Sequence, residues 1–383
     1  MDLKPVDGRV AVLLAVRRSV VKSGRFQNHQ RCLTGHNPLL YSARDGLRPY
    51  SDVTCGRLSL AAEEMMKIHT ILNREGGTLK TTDLDRFSEL IADEFRLHGH
   101  DVDIECVRGS EIVKAIKRAA DRSDLDVLLV GGGDGTVSAA AAALMNHPMA
   151  LAILPAGTMN LFARTLQIPL AIEAAVVALA GGAITEVDVA TVNGKPFVHQ
   201  FAVGMHARMV RMRDSIAYGS RLGKMFASTR AIMATLRSLP MVEVEIDIDG
   251  EIRRLETPAL AVSNNVYGDG HLPFADDPRG GVLGVYICET RDTRAMTRLT
   301  FDILRGKWRQ NPSLKVYAAR KVVVGCRGSK RQDRAVRDGE LRNLAERSEI
   351  VIHPKALRVL VPSEATFLAP ETAIDDTATV CTA

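Results

Sequence analysis

Aromatic side chains are scarce: they make up 4% of the 383 residues, with a single tryptophan. The cores must therefore be built from alanine, valine, leucine and isoleucine. The basic residues also lack the aromatic interleaving of a nucleic-acid surface, and a net charge of +5 is modest for this length. The six cysteines (Cys32, Cys55, Cys106, Cys288, Cys326, Cys381) show no C-x-x-C spacing. This argues against a disulfide framework or a zinc site and for a reducing, cytoplasmic compartment. The ten histidines show no paired metal spacing. No apolar run reaches the ~18 to 20 residues of a spanning helix, so contact with a membrane would be transient and peripheral. There are no internal repeats. The apolar run at 10–16 lacks the charge placement and cleavage site of a secretion signal.

What is present begins at 125–136, an apolar run that breaks into glycines around one aspartate. Residues 127–130 lack polar alternation and predict a buried strand. Gly131, Gly132, Gly133 and Gly135 let the main chain approach a ligand closely. Thr136 and the alanine-rich stretch after it open a helix, whose N-terminal amides and positive dipole end favour an anion. That geometry suits phosphate. Asp134 beside phosphates calls for a bridging Mg²⁺ or a hydroxyl partner. The bland alternative is a tight strand-to-helix turn.

A second such unit follows: a strand at 150–155, a turn at 156–160 and a helix from Leu161. Thr158 and Asn160 are good capping residues and need do no more than start that helix. In a parallel sheet, however, loops at the carboxyl ends of neighbouring strands meet in one crevice.

The sequences GGDGT at 132–136 and PAGTMNLFAR at 155–164 resemble the catalytic domain of the diacylglycerol kinase superfamily, which includes small bacterial lipid kinases and, more distantly, sphingosine kinases. The resemblance implies that the first loop cradles ATP phosphates and the second lines the nucleotide site. It extends upstream to 67–77, where Asn73, Gly76 and Gly77 form the family's first turn, and downstream to 194–207 and the Asp338, Gly339, Glu340 motif. It covers roughly residues 65 to 362. It assigns nucleotide contacts to Asn73, Gly76, Gly77, Gly132, Gly133, Asp134, Gly135, Thr136, Gly157, Thr158 and Asn160. It assigns Glu340 as proton acceptor, Asp338 as its neighbour in a Mg²⁺ or hydrogen-bond network, and Asp134 as the third catalytic carboxylate. A family metal segment aligns with 273–281, where Asp276 and Asp277 are candidate Mg²⁺ ligands, although Gly280 stands where an aspartate is usual. On local sequence alone, Asp338 and Gly339 read equally as a hairpin turn.

Residues 1–64, rich in arginine and turn formers, are expected to be a poorly ordered extension. Residues 65–187 alternate strand and helix patterns, which predicts an α/β domain with a parallel sheet, of the NAD kinase and diacylglycerol kinase kind. Residues 188–355 predict a β-rich antiparallel domain: 242–249 alternates strictly, and 255–262, 281–288, 315–324 and 349–353 are further strands. Residues 356–383 are expected to be a closing segment and a frayed tail. Residues 216–239 pattern as an amphipathic helix with Arg221, Lys224, Arg230 and Arg237 off the apolar positions. That basic face is either simply solvated or rests on anionic headgroups.

The sequence thus predicts an ATP- and Mg²⁺-dependent lipid kinase acting at the inner membrane surface. Its partners are ATP and a lipid alcohol, with a homodimer left open and no nucleic acid. The alternatives are a kinase of a soluble substrate, as in NAD kinases and phosphofructokinases, and a non-catalytic nucleotide- or lipid-binding module.

Overall fold

The computed structural model describes residues 65–214, 239, 241–270, 272–326 and 334–369. The chain divides into a unit of Met1–Ser59, outside the described residues, and one of Leu60–Ala383, to which everything below belongs. The extension and most of the basic helix expected at 216–239 also lie outside the described residues.

The first half builds a parallel sheet. Strands β1 (Lys67–Asn73), β2 (Asp101–Val107), β3 (Val127–Gly132) and β4 (Ala150–Pro155) pair in parallel in the order β2-β1-β3-β4. Strands β3 and β4 are buried at every residue, as uninterrupted apolar runs covered on both faces require. Helix α1 (Leu84–Leu97) starts where the Asp83 carboxylate accepts from Arg86 N, and it buries Phe87, Ile91 and Phe95, spaced four apart on one face. Helix α2 (Ile112–Ala120) buries Ile112, Ala115, Ile116 and Ala119 in the same way. Helix α3 (Asp134–Leu144) packs through Val137, Ala140, Ala141 and Leu144, whose mostly small side chains let it lie close to its neighbours. The short α4 (Leu161–Thr165) and α5 (Ile172–Ala180) complete this half. The chain runs outward from β1 to β2 and then crosses back to β3, so the order of connection reverses between β1 and β3 while the strands stay parallel. In such sheets the crevice at that reversal is where ligands bind.

The second half is antiparallel. Its strands are β5 (Ala183–Val192), β6 (Lys195–Phe197), β7 (Gln200–Gly204), β8 (Val242–Ile248), β9 (Glu251–Thr257), β10 (Ala259–Ser263), β11 (Leu283–Cys288), β12 (Leu314–Ala319), β13 (Lys321–Cys326), β14 (Arg334–Arg337), β15 (Glu340–Asn343) and β16 (Arg347–Val361). Among the described residues two helices join them, α6 (Met205–Asp214) after β7 and α7 (Thr293–Leu304) after β11. A six-stranded sheet runs β12-β11-β10-β7-β14-β15. The other strands extend the parallel sheet to ten, because β16 lies beside β4 at Val359 and Leu151 while its earlier residues pair with β13 and β5. A second apolar core, including Phe197, Val203, Ile246, Val262, Val285 and Val324, is built from both sheets. The chain is thus an α/β domain with a mostly parallel sheet joined to an antiparallel β-sheet domain.

Three strand expectations change in detail. Residues 255–262 form two strands in different sheets, β9 and β10, divided at Pro258, which has no N–H to give a ladder. Residues 315–324 divide likewise into β12 and β13 at Arg320, where the Asp249 carboxylate takes the amides of Arg320 and Lys321. The strand expected at 349–353 is one part of the 15-residue β16, which continues through an irregularity between His353 and Leu357.

Candidate functional site

Loops at the carboxyl ends of the parallel strands interlock through close backbone contact. Gly77 has φ +36°, and a Cβ there would lie 1.8 Å from the Ala156 carbonyl oxygen. Next to it, Thr78 N donates to that same oxygen at 2.8 Å. A Cβ on Gly157 would come within 2.7 Å of the Gly133 Cα. Glycine is thus required at Gly77 for both conformation and space, and at Gly157 for space. Asn73 shapes the first loop: its carbonyl takes Gly76 N at 2.9 Å and its Oδ1 takes Glu75 N at 3.1 Å. The Glu75 carboxylate in turn accepts from Gly109 N, which draws in the loop after β2.

Asp134 fastens the third loop to the fourth. Its Oδ1 accepts from Leu161 N at 2.8 Å and its Oδ2 from Asn160 N at 3.1 Å. A carboxylate at the start of α3 thus anchors the start of α4. Asn160 sits at φ +50°, and its side chain folds back to take Gly157 N and donate to Gly157 O. It braces its own loop and makes no capping bond to the helix. Thr158 is exposed at the rim, while Thr136 is buried against Gly132. The amides of Thr136 and Val137 turn back onto the Gly133 carbonyl. Those of Asp134 and Gly135 belong to the first turn, where a helix has no acceptor of its own.

Asp338 and Gly339 form the turn between β14 and β15, with φ +47° and +79°. Two consecutive positive φ angles mark the hairpin turn that Asp-Gly favours. The hairpin reading and the site reading therefore hold together, because this turn inserts into the α/β half. The half-buried Asp338 carboxylate accepts four bonds: Ser138 Oγ at 2.6 Å, His199 N at 2.9 Å, Val198 N at 3.1 Å and Gln200 N at 3.2 Å. Burial raises its pKa above the ordinary value while these donors pull it down. Glu340, two residues on, is exposed and contacts the Arg342 guanidinium. A Cβ on Gly135 would lie 3.7 Å from Glu340 Oε1, so the exposed carboxylate stands over the first turn of α3.

An apolar cavity of about 370 Å³ opens beside this turn. Met205, Leu260, Met296, Leu299 and Leu314 line it, and Gln200, whose amide holds Asp338, marks its polar end. A ladder of rings runs along it: His199 stacks on Tyr267 at 5.6 Å, Tyr267 on Tyr286 at 4.9 Å, and Tyr286 meets Trp308 edge-on at 5.8 Å. Burial, with His206 adding to it and the Asp134 charge opposing, pushes the His199 imidazole down to about 3, so it is neutral at physiological pH. Burial likewise holds the Tyr267 phenol well above its usual value, and its hydroxyl donates to Gln200 Oε1 at 3.0 Å.

Asp276 and Asp277 are both exposed. Asp277 Oδ1 accepts from Arg279 N at 2.8 Å, and the Asp276 carboxylate lies against Gly268. Among the described residues no three His, Cys, Asp or Glu side chains gather as a metal group. Two carboxylates, one already engaged, fall short of the six-oxygen shell of a magnesium held by protein alone.

Sequence reasoning missed Ser138, His199, Gln200 and Tyr267. Ser138 carries a readable signal, since it stands one turn after Asp134 on the helix. The other three become site residues only through the fold.

The chain is similar to known proteins in sequence and in fold. Residues 67–192 match the diacylglycerol kinase catalytic domain, and residues 200–361 match the YegS C-terminal NAD kinase beta sandwich-like domain. An uncharacterised protein of Synechocystis sp. is 30% identical over 272 residues, covering 67% of this chain and 60% of its own length. The chain thus spans about three fifths of that relative. A Staphylococcus epidermidis protein named "Putative lipid kinase" is 26% identical over 66% of this chain and 81% of its own. In fold, the chain resembles a diacylglycerol kinase structure from Bacillus anthracis str. Sterne, with TM-score 0.57, 19% identity and coverage of 78% of this chain and 97% of that one. It also resembles a "putative diacylglycerol kinase" of the same strain, with TM-score 0.63, 22% identity and coverage of 79% and 97%. The two domains, in this order and on this fold, make the chain a member of the diacylglycerol kinase catalytic-domain superfamily.

Proposed function

We propose that the chain is an ATP-dependent lipid kinase that moves the γ-phosphoryl group of ATP to the hydroxyl of a lipid such as diacylglycerol or a sphingoid base. One observation carries this reading: an apolar cavity whose polar end, Gln200, is bonded to Asp338, two residues from an exposed carboxylate that stands over a glycine-rich helix start. An alkyl chain in the cavity would present its hydroxyl near Glu340, while phosphates would lie on the loops at 73–77, 132–136 and 157–160. Ring-lined, nearly unpolar walls suit a hydrocarbon better than a sugar or a dinucleotide.

In the proposed step Glu340 accepts the hydroxyl proton, the lipid oxygen bonds to the γ-phosphorus, and the bond to the β-phosphate oxygen breaks to leave ADP. Asp338, with its acceptor sites filled, positions the hairpin that carries Glu340. Asp134 positions the third and fourth loops against each other. Magnesium would enter with the nucleotide phosphates and neutralise their charge, since Mg²⁺ commonly takes only one or two protein carboxylates beside phosphate oxygens. Among the described residues no helix is long and apolar enough to cross a membrane. The lipid would be met by peripheral, transient contact from the cytoplasm.

Labelled ATP with Mg²⁺ against lipids in mixed micelles, beside NAD and fructose 6-phosphate, tests the reading. Label in a lipid well that falls at least ~100-fold in Glu340→Gln supports it. Label only in a soluble well, or none anywhere while ATP still binds, overturns it.

A further inference from the structure

Among the described residues, the exposed large hydrophobics are scattered singly along the sequence except at one place. Phe301, Ile303 and Leu304 are 53%, 40% and 67% exposed and fall within one turn at the end of α7. The helix buries only Met296 and Leu299. Ile303 and Leu304 also line the apolar cavity, so the patch is continuous with its wall. Isolated exposed apolar residues need no explanation, but a cluster rimming an apolar opening does.

Basic residues outnumber acidic ones around the patch. Arg294, Arg298, Arg305 and Lys307 are exposed, and among the described residues none of the four makes an ion pair. Arg291 and Arg309, by contrast, are paired with Glu256 and Asp269. Two nearby carboxylates are engaged: Asp292 caps the start of the helix, and Asp302 accepts from Asn311 at 2.6 Å. Arg294, Arg298, Phe301 and Arg305 follow one another at spacings of four, three and four, which places them on one face of the helix. The Arg305 guanidinium lies 6.0 Å over the Phe301 ring.

We propose that this end of α7 docks on the surface of an anionic bilayer, with Phe301, Ile303 and Leu304 entering the interface and Arg294, Arg298, Arg305 and Lys307 meeting lipid phosphates. Apolar tips beside a row of cations that make no ion pair complement a surface that is negative outside and apolar beneath. Docking there turns the mouth of the cavity toward the lipid. What the cavity then takes rests on the kinase reading, whereas the docking does not.

The test uses the full chain without ATP, in flotation with phosphatidylglycerol or phosphatidylcholine vesicles. Preferential binding to phosphatidylglycerol is expected. It should weaken at least ~tenfold when Arg298, Arg305 and Lys307 are all changed to Glu, and also weaken in Phe301→Ser. Trp308, the single tryptophan, follows α7 and is buried against the cavity, so brominated phosphatidylglycerol should quench its emission in the unmodified chain. Equal binding to both vesicles, unchanged binding of a folded triple variant, or binding without Trp308 quenching overturns the proposal. The last outcome would move the membrane contact to another face. None of these readouts requires turnover, so failure of the kinase reading shows separately, as absence of phosphoryl transfer.

Discussion

Ser138 and Asp338, 200 residues apart in sequence, are joined by a hydrogen bond of 2.6 Å from the serine hydroxyl to the half-buried carboxylate. This bond ties α3, which begins at Asp134, to the hairpin turn that carries Glu340. The two halves of the chain are thus fixed to each other at the place where phosphate and acceptor would meet. Every bond at this carboxylate is one it accepts, so its substitution has a defined cost. Asp338→Asn keeps the shape but turns an N–H₂ toward N–H and O–H donors. Loss of about 2 to 4 kcal/mol of stability is expected, against about 1 to 2 for Ser138→Ala, which removes a single donor. Denaturant unfolding measures both, and equal effects of the two would contradict the network.

Gly77→Ala is expected to disrupt the loops proposed to hold the nucleotide. Its Cβ would fall 1.8 Å from a backbone oxygen, and the conformation at φ +36° disfavours any side chain. A fall of ATP affinity by at least ~tenfold is expected with the second half still folded, read by calorimetric titration and circular dichroism. Gly99→Ala serves as a control, because φ there is +81° but no atom lies within 4 Å of the added Cβ.

The depressed His199 imidazole makes folding depend on pH. In the unfolded chain it titrates near 6.5, whereas in the folded protein it does so at about 3. Between those values the unfolded state binds a proton that the folded state does not. Stability therefore rises with pH across this window and is lost as pH falls through it, by about 3 to 5 kcal/mol in all. His199→Asn should flatten the pH dependence of the unfolding free energy over this range. Asp338, raised by burial, works in the opposite sense, its contribution being present at low pH and lost as pH rises through its folded value. An unchanged slope in His199→Asn would remove histidine as the cause.

Filling the cavity should separate the two proposed substrates. Leu260→Trp places a ring in the apolar wall without touching the loops. The expected result is a KM for lipid raised at least ~tenfold with ATP affinity unchanged. A parallel loss of ATP affinity would show that the cavity serves the nucleotide.

Much of this fold was legible because its signals are local. A continuous apolar run, a glycine turn and a helix start at 127–144 lie within one strand-to-helix unit, and the second unit repeats the pattern at 150–165. Strict alternation at 242–248 likewise gave one buried face, Val244, Ile246 and Ile248. Strand boundaries were less legible where the chain changes sheets. At Pro258 and Arg320 apolar residues continue on both sides of the break, and only pairing partners distinguish β9 from β10 or β12 from β13. Strand β16 runs well beyond the 349–353 expected from sequence, because the Asp188 carboxylate holds Lys355 N, at φ +57°, and carries the strand past the irregularity.

For the candidate site, the sequence by itself determined the residue types and backbone freedom of the loops, since glycine, aspartate and asparagine act on atoms a few positions away. It also determined that Asp338 and Gly339 would turn sharply. Only the tertiary structure decided that this turn would meet α3, that Asp338 would be a filled acceptor while Glu340 stayed exposed, and that His199, Gln200 and Tyr267 would border an apolar cavity. The physical reason is reach. Turn and helix-start preferences are set by neighbouring dihedral angles, whereas a carboxylate's protonation, exposure and partners depend on which distant segments exclude water around it.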